Sequence, residues 1–254
     1  MPAHFPLKLI GSRMLAPSVR HLAFARNDGQ PLDFVPGQFI QVHFNYPDGS
    51  PSKRSYSLAT IHDHALGPGE VVEIAVSFVP GGAATALFAA LDEGQQIEAS
   101  GPFGRFCLHP GDDNRRYLLI GTGTGITPYR AMLPQLAEAM AQRELDIVLL
   151  FGARTPAELI YGEDFLAFAA AHPRFRFVPC FSRELPAADS PLHAHAEVRA
   201  GYVQQALAEL APHAEGDVAY LCGNPNMVDA AFDALKHYGL PIPRIRREKY
   251  VSSK

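Results

Sequence analysis

The sequence is short of cysteine, of long apolar runs and of clustered positive charge, and each shortage removes a class of function. Three cysteines occur in 254 residues, at Cys107, Cys180 and Cys222, odd in number and far apart. They supply neither a disulfide framework nor a four-thiolate iron–sulfur or zinc site, so any iron–sulfur centre is expected on a partner. No stretch approaches the length that spans a bilayer, and Met1-Pro2-Ala3-His4-Phe5-Pro6 has no basic region followed by an apolar run. A cytoplasmic chain without a membrane partner is expected. The formal net charge is −4 and no Lys/Arg-rich tract stands out, which excludes the broad basic field that non-specific nucleic-acid binding requires. Internal repeats and low-complexity segments are missing as well.

What remains is an ordinary globular composition, 47% hydrophobic and 19% charged, long enough for two medium domains. From Phe5 to about Leu108 the text consists of short β-type runs such as Phe39–Phe44 and Val71–Val76, separated by Gly, Pro, Asn and Asp turns. That pattern predicts an antiparallel barrel. One helix interrupts it, opening near Thr85 and ending at Gly94. The polar cluster His109–Asn114 marks the domain boundary. Beyond it the pattern becomes βαβ, with strands at Tyr117–Ile120, Asp146–Phe151, Phe175–Phe181, Val218–Cys222 and Arg244–Tyr250. Helices are predicted near Pro128–Arg143, Glu163–Ala171, Val203–Ala211 and Pro225–Tyr238. Such alternation predicts a doubly wound α/β parallel sheet covered on both faces. Pro134 inside the first helix predicts a kink.

The first α/β strand runs directly into Gly121-Thr122-Gly123-Thr124-Gly125-Ile126-Thr127-Pro128. With Thr127 as N-cap and Pro128 as first helical residue, the loop offers backbone N–H groups and a positive dipole end to a phosphate. A tight strand-to-helix turn has the same glycine spacing; strand, cap and helix in register favour the nucleotide. The fourth strand ends in Cys222-Gly223-Asn224-Pro225-Asn226-Met227, again a cap residue before a proline. In the common doubly wound order, strands one and four are neighbours and dinucleotides bind at their carboxyl ends. Cys222 then lies beside the reactive end of the ligand, although a lone cysteine is usually a buried, inert thiol. Arg154 and Ser182-Arg183 fall at the ends of strands two and three, where an NAD site often holds an acid; arginine there suits a 2′-phosphate.

In the first half, Lys53-Arg54-Ser55-Tyr56-Ser57-Leu58 mixes cations, a flat aromatic and hydroxyls. The set suits an anionic planar ligand and equally suits a barrel strand with a stacked Arg/Tyr pair. Gly82-Ala83-Ala84-Thr85 leads into the predicted helix, as a second phosphate cradle or as a capped turn. His62-Asp63-His64 and His193-Ala194-His195 place imidazoles at i, i+2 without thiolates or a clear carboxylate set, so no metal site is expected. Arg244, Arg246, Arg247 and Lys249 make the last strand locally basic, which predicts a landing face for an acidic carrier.

Together these segments resemble the ferredoxin–NADP reductase superfamily over essentially the full chain. Arg54-Ser55-Tyr56-Ser57 is similar to its Arg-x-Tyr-Ser flavin motif, and Gly82–Thr85 to the segment that supports the FAD pyrophosphate. Gly121–Pro128 is similar to the NADP pyrophosphate loop, and Cys222–Met227 to the Cys-Gly-x-Pro-x-Met nicotinamide motif. Gly101-Pro102-Phe103-Gly104 adds the family's turn late in the barrel. The resemblance implies an FAD-binding barrel over 1–111 and an NADP-binding α/β domain over 112–254, with a C-terminal tail over the flavin. It further implies stacking by Tyr56, an N5 contact from Ser57, phosphate binding by Arg54, nicotinamide positioning by Cys222 and proton exchange at Glu248. Plant-type members end Glu-x-Tyr, whereas here Glu248-Lys249-Tyr250 is followed by Val251-Ser252-Ser253-Lys254. Whether Tyr250 or the extra residues cover the flavin stays open. The implied activity is hydride exchange with NADP(H) and single-electron exchange with ferredoxin or flavodoxin, by a monomeric chain. The reductase component of an oxygenase and a non-autonomous flavin subunit are the rival readings.

Overall fold

In His4–Ala16 (β1), Phe5, Leu7 and Leu9 are buried while Lys8 and Ile10 are exposed, the period-two pattern of a strand with one wet face. The same alternation builds Val19–Arg26 (β2), Phe39–Asn45 (β3), Pro51–Ser57 (β4), Val71–Ser77 (β5) and, after the helix Ala83–Ala90 (α1), Gln96–Phe103 (β6). The six strands pair antiparallel in the order β4-β3-β6-β1-β2-β5. A bridge between Leu58 and Ile74 joins the two ends of the sheet. Closure removes the exposed edges and leaves one apolar interior, with Leu22, Phe24, Ile40 and Val42 at its centre. The computed structural model describes residues 4–30, 32–62 and 70–251; Asp63 and His64 of the paired-histidine segment and the tail from Ser252 to Lys254 lie outside the described residues.

The helix α1 begins at Ala83, two residues before the expected Thr85. Gly82 is its N-cap and supplies no side-chain cap, while the Thr85 hydroxyl accepts the Val79 N–H at 2.8 Å and closes the loop ahead of the helix. Its other end is satisfied: Arg20 donates to the carbonyls of Phe88 and Leu91. The helix thus has a capped carboxyl end and an amino end led by glycine.

The chain divides after Leu108, and the residues from His109 onward build a second unit, except that Thr127–Pro134 groups with the barrel. Its strands are Arg116–Thr122 (β7), Asp146–Ala153 (β8), Phe175–Phe181 (β9), Arg199–Ala200 (β10), Asp217–Gly223 (β11) and Ile245–Lys249 (β12). Between them run Thr127–Gln142 (α2), Gly162–Ala171 (α3), Leu192–His195 (α4), Val203–Glu209 (α5) and Pro225–His237 (α6). All pairings are parallel, in the order β10-β9-β8-β7-β11-β12. The first and fourth predicted strands, β7 and β11, are therefore neighbours, as the doubly wound order requires. A sixth strand, β10, joins the five expected; two residues are too short to leave a pattern in the sequence. Helices α5 and α6 pack on one face through Leu207, Val228 and Leu235, and α3 covers the other, with the Phe165 ring 5.6 Å from Phe177.

One expectation for α2 changes. A 3-10 turn over Gly123–Ile126 intervenes, Ile126 becomes the N-cap, and Thr127 is the first helical residue. Pro134 lies inside the helix, which spans Thr127–Gln142, and is the last residue that groups with the barrel. Among the described residues no helix is long and apolar enough to cross a membrane.

Candidate active site

The carboxyl ends of β7 and β11 meet through glycine. A Cβ placed on Gly125 would overlap the Cys222 carbonyl, and one on Gly223 would lie 2.5 Å from the Thr122 carbonyl. The two loops are thus packed backbone to backbone, and the Thr122 hydroxyl accepts the Asn224 N–H at 3.2 Å to link them. A methyl on Gly123, by contrast, would meet nothing within 4 Å. The loop therefore has a packed side, at Gly125, and an open side, at Gly123. Beside it Thr127 Oγ1 is buried without a protein partner among the described residues, the kind of polar atom that a bound ligand or water satisfies. Asn224 caps α6, accepting from the N–H groups of Asn226 and Met227, as the cap-before-proline pattern predicts. Gly121–Thr127 thus fits the pyrophosphate of a dinucleotide better than the self-capped loop at Pro225 does.

Cys222 is fully buried. Burial pushes its thiol well above the usual range, the nearby Glu248 carboxylate adds to the shift, and a hydrogen bond with Tyr250 opposes it. The thiol is therefore neutral at pH 7, suited to packing against a flat ring and unsuited to nucleophilic attack. Tyr250 is also fixed by its backbone, whose N–H donates to the Gly223 carbonyl at 2.8 Å. Cys222, Glu248 and Tyr250 consequently converge at the end of β11, as β12 pairs Glu248 with Cys222 in register.

At the ends of β8 and β9 the two arginines differ. Arg154 is already paired with Glu158 one turn along, whereas the exposed Arg183 side chain has no ion pair among the described residues. Its backbone N–H donates to the Arg154 carbonyl at 2.9 Å, which fixes the two loops together, with Ser182 bonded to Ala153. Tyr202, just before α5, is 62% exposed, a flat apolar ring in water near the end of β10. No sequence pattern had marked it.

In the barrel, Arg54 and Tyr56 share one face of β4 by alternation. Tyr56 packs edge-on against Phe88 of α1, centroids 5.2 Å apart at 84°, and burial, opposed by Arg54, pushes its hydroxyl up to about 12. Arg54 is held by the Tyr46 hydroxyl at 2.9 Å and by Ser52 Oγ at 3.1 Å. Neither partner was singled out from sequence. The register Phe44↔Ser52 and Asn45↔Pro51 brings them together across the Pro47-Asp48-Gly49 turn. Ser57 is buried, Ser55 exposed and paired with Gln41, and Leu58 closes the barrel. At the start of α1 the first helical acceptor, the Gly82 carbonyl, takes the Ala86 N–H at 3.1 Å. The preceding N–H groups of Ala83, Ala84 and Thr85 form an eight-residue helix's natural anion cradle. A cationic side chain, a half-buried aromatic and this cradle together fit a flavin nucleotide.

The cations of the basic face expected on β12 have carboxylate neighbours. Arg246 is paired with Asp112 at 2.5 Å, Arg244 with Asp113 at 3.1 Å, Lys249 with Asp229 at 2.7 Å and Arg247 with Asp229 at 4.0 Å. Each of the four cations has a carboxylate neighbour, Asp229 being shared by Arg247 and Lys249, so the field that the strand presents to a carrier is reduced. His193 and His195 are exposed on α4.

Comparison with known proteins follows the same division. Residues 6–107 match the oxidoreductase FAD-binding domain family and residues 119–233 the oxidoreductase NAD-binding domain family. Ferredoxin–NADP reductase B of Sorangium cellulosum is 34% identical over 253 residues, covering 97% of each chain. The reductase subunit of an aromatic O-demethylase from Amycolatopsis is 37% identical over 226 residues, 87% of this chain and 62% of that longer protein. The crystal structure of an Amycolatopsis cytochrome P450 reductase superposes with a TM-score of 0.81 at 32% identity, covering 98% of this chain and 71% of that one. The chain is an FAD- and NAD(P)-dependent oxidoreductase and belongs to the ferredoxin–NADP reductase superfamily.

Proposed function

We propose that the chain is an NADPH-dependent reductase of a small one-electron carrier, ferredoxin or flavodoxin. The observation that carries this reading is the pair of glycine-led cradles, Gly82–Thr85 in the barrel unit and Gly121–Ile126 in the second unit, with a neutral buried thiol at the end of β11. When bound, FAD would supply the link between two-electron exchange with NADPH and single-electron exchange with the carrier. The protein's part is to bind and orient. Arg54, braced by Tyr46 and Ser52, would take a flavin phosphate, Tyr56 and Ser57 would hold the flavin ring, and the first turn of α1 would hold the pyrophosphate. Gly121, Thr122, Gly123, Thr124 and Gly125 of the second unit, with Thr127 and Pro128, would hold the coenzyme pyrophosphate. Cys222 and Gly223, with Pro225 and Met227 behind them, would seat the nicotinamide, and Glu248 would exchange the proton. Ser182 and Arg183 take the 2′-phosphate, Arg154 supports them, and Tyr202 supplies a face for the adenine. The likeness to the Sorangium protein over 97% of both chains supports ferredoxin as carrier. Relatives named as oxygenase reductases, such as the terephthalate 1,2-dioxygenase component of Comamonas, 29% identical over 98% of this chain, support a dedicated oxygenase as the alternative acceptor. Purified protein loaded with FAD should reduce both carriers with NADPH; reduction of ferricyanide but of neither carrier would favour the alternative, and no reduction at all would overturn the reading.

Arg183→Ala is expected to lower kcat/KM for NADPH by roughly one to two decades, the loss of one charge-assisted contact of about 1.5–3 kcal/mol, with little change for NADH. Arg154, engaged with Glu158, should lose less. Equal losses with both coenzymes would remove Arg183 from the phosphate site.

Tyr250 lies against the Cys222 thiol, the place assigned to the nicotinamide, so ring and coenzyme compete. If aromatic stacking contributes about 0.5–1.5 kcal/mol, Tyr250→Ser should tighten NADP binding by roughly two- to tenfold. Identical titrations of the two proteins, followed by a charge-transfer band, would dispose of the competition.

A further inference from the structure

One buried ion pair in the barrel unit has no part in the cofactor contacts described above. Arg130, in the first turn of α2, is 8% exposed. Its Nη1 donates to Glu73 Oε2 at 2.5 Å and to the Ala59 carbonyl at 2.6 Å. Glu73 Oε1 lies 3.5 Å from His21 Nε2. Burial works to raise the Glu73 carboxyl, but the hydrogen bond from His21 and the charge and hydrogen bond of Arg130 outweigh it and hold it at about 2. The same residue clamps the chain a second time through its backbone: Ala59 N–H donates to the Glu73 carbonyl and Glu73 N–H to the Thr60 hydroxyl, each at 2.8 Å. Ala59 and Thr60 directly follow Ser57 and Leu58, and Arg130 follows the loop Gly121–Thr127 by three residues.

We propose that Arg130 is a positioning residue for hydride transfer: through the Ala59 carbonyl and Glu73 it fixes the chain that carries Ser57 to the helix turn that carries Thr127. This rests on the oxidoreductase reading above and deepens it. Without Arg130 the Ala59 carbonyl and Glu73 Oε2 would lose the donor they share, leaving Glu73 with His21 alone, and a misplacement of about 1 Å at a reacting centre costs as much as 100-fold in rate. The side chains of Arg130 and Glu73 are engaged with each other, with the Ala59 carbonyl and with His21, so the expected effect is on alignment and not on affinity.

Removing Arg130 alone strands the Glu73 charge and risks unfolding, so the informative protein is the double variant Arg130→Met with Glu73→Gln. Replacing both partners of a buried pair with uncharged groups of similar volume is often close to neutral for stability. The first readout needs no cofactor: in the FAD-free chain, amide hydrogen exchange over 57–60 should quicken by roughly tenfold or more. The second uses the FAD-loaded protein in a stopped-flow instrument. At saturating NADPH the flavin should bleach roughly 10- to 100-fold more slowly than in the wild type, with the NADPH dissociation constant changed by less than about threefold. The NADP charge-transfer band should weaken as well. A purely structural pair would lower the melting temperature and leave bleaching at wild-type speed; that result, or unchanged exchange over 57–60, overturns the proposal. Wild-type protein that NADPH fails to bleach would instead overturn the oxidoreductase reading, leaving the exchange measurement to decide Arg130's hold on the strand.

Discussion

Gly223→Ala is expected to lower kcat/KM for NADPH by more than about 100-fold while the protein keeps its full complement of FAD. Gly223 sits at φ 123°, a conformation that costs a side-chain-bearing residue about 1–3 kcal/mol. The added methyl would also lie 2.5 Å from the Thr122 carbonyl and 2.8 Å from its hydroxyl. Thr122 cannot retreat easily, because it ends β7 and pairs in register with Gly152 of β8. The ends of β7 and β11 must therefore separate, and the separation falls on the groups that hold the coenzyme. About 2.8 kcal/mol of lost alignment already amounts to two decades. Flavin retention should survive, since Arg54, Tyr56 and the Gly82–Thr85 cradle all belong to the other unit. Gly125→Ala, whose methyl would overlap the Cys222 carbonyl, should behave alike. Gly111→Ala, with nothing within 4 Å, is the control. Steady-state kinetics and the ratio of flavin to protein absorbance check the pattern, and a Gly223→Ala enzyme with wild-type kcat/KM would show that the contact between the loops is not part of the coenzyme site.

These glycines were legible in the sequence because their neighbours were. A strand of Tyr117-Leu118-Leu119-Ile120 has apolar residues without alternation, which only a sheet buried on both faces accommodates, and the order of such sheets places its end beside that of Val218–Cys222. What failed was local or distant. Thr127 reads as a cap because it precedes a proline; the 3-10 turn over Gly123–Ile126 moves the cap back one residue and leaves the hydroxyl inside. Arg246 reads as a surface cation because alternate residues of an edge strand face water, but its partner Asp112 lies 134 positions away, and no pattern in one chain announces such a pair. Tyr46 and Ser52 fall between these cases. The turn residues Pro47-Asp48-Gly49 fix the register that brings both to Arg54. Arg130 had no signal at all: an arginine in an apolar helix turn looks like a solvated charge until Glu73 and the Ala59 carbonyl are placed around it.

The largest loss of stability is expected from Asp217→Ala, about 3–5 kcal/mol. Asp217 is 2% exposed and accepts from Arg116 Nε at 2.8 Å, from Arg116 Nη2 at 2.6 Å and from the His213 N–H at 2.7 Å. The two-pronged arginine contact holds the start of β7 to the start of β11, which pair there as Arg116↔Asp217, and Arg116 goes on to bind the Leu210 carbonyl at 3.0 Å. Alanine leaves the guanidinium half-buried with no counter-charge and the His213 N–H without its acceptor. Breaking one side of a buried pair carries this cost because the remaining charge is stranded, not because the pair itself contributed so much. For a chain of this size each kcal/mol shifts the melting temperature by about 2–4 °C, so a fall of roughly 6–20 °C is expected. The pair Lys249–Asp229, with side chains 38% and 51% exposed, is the contrast: Lys249→Ala should change stability by no more than about 1 kcal/mol. Asp217→Asn, which keeps an acceptor for His213, should fall between the two. Calorimetry on the three variants decides: a loss below about 1 kcal/mol for Asp217→Ala would mean that water reaches Arg116 when the carboxylate is gone, and that the junction of β7 and β11 is held by its backbone pairing alone.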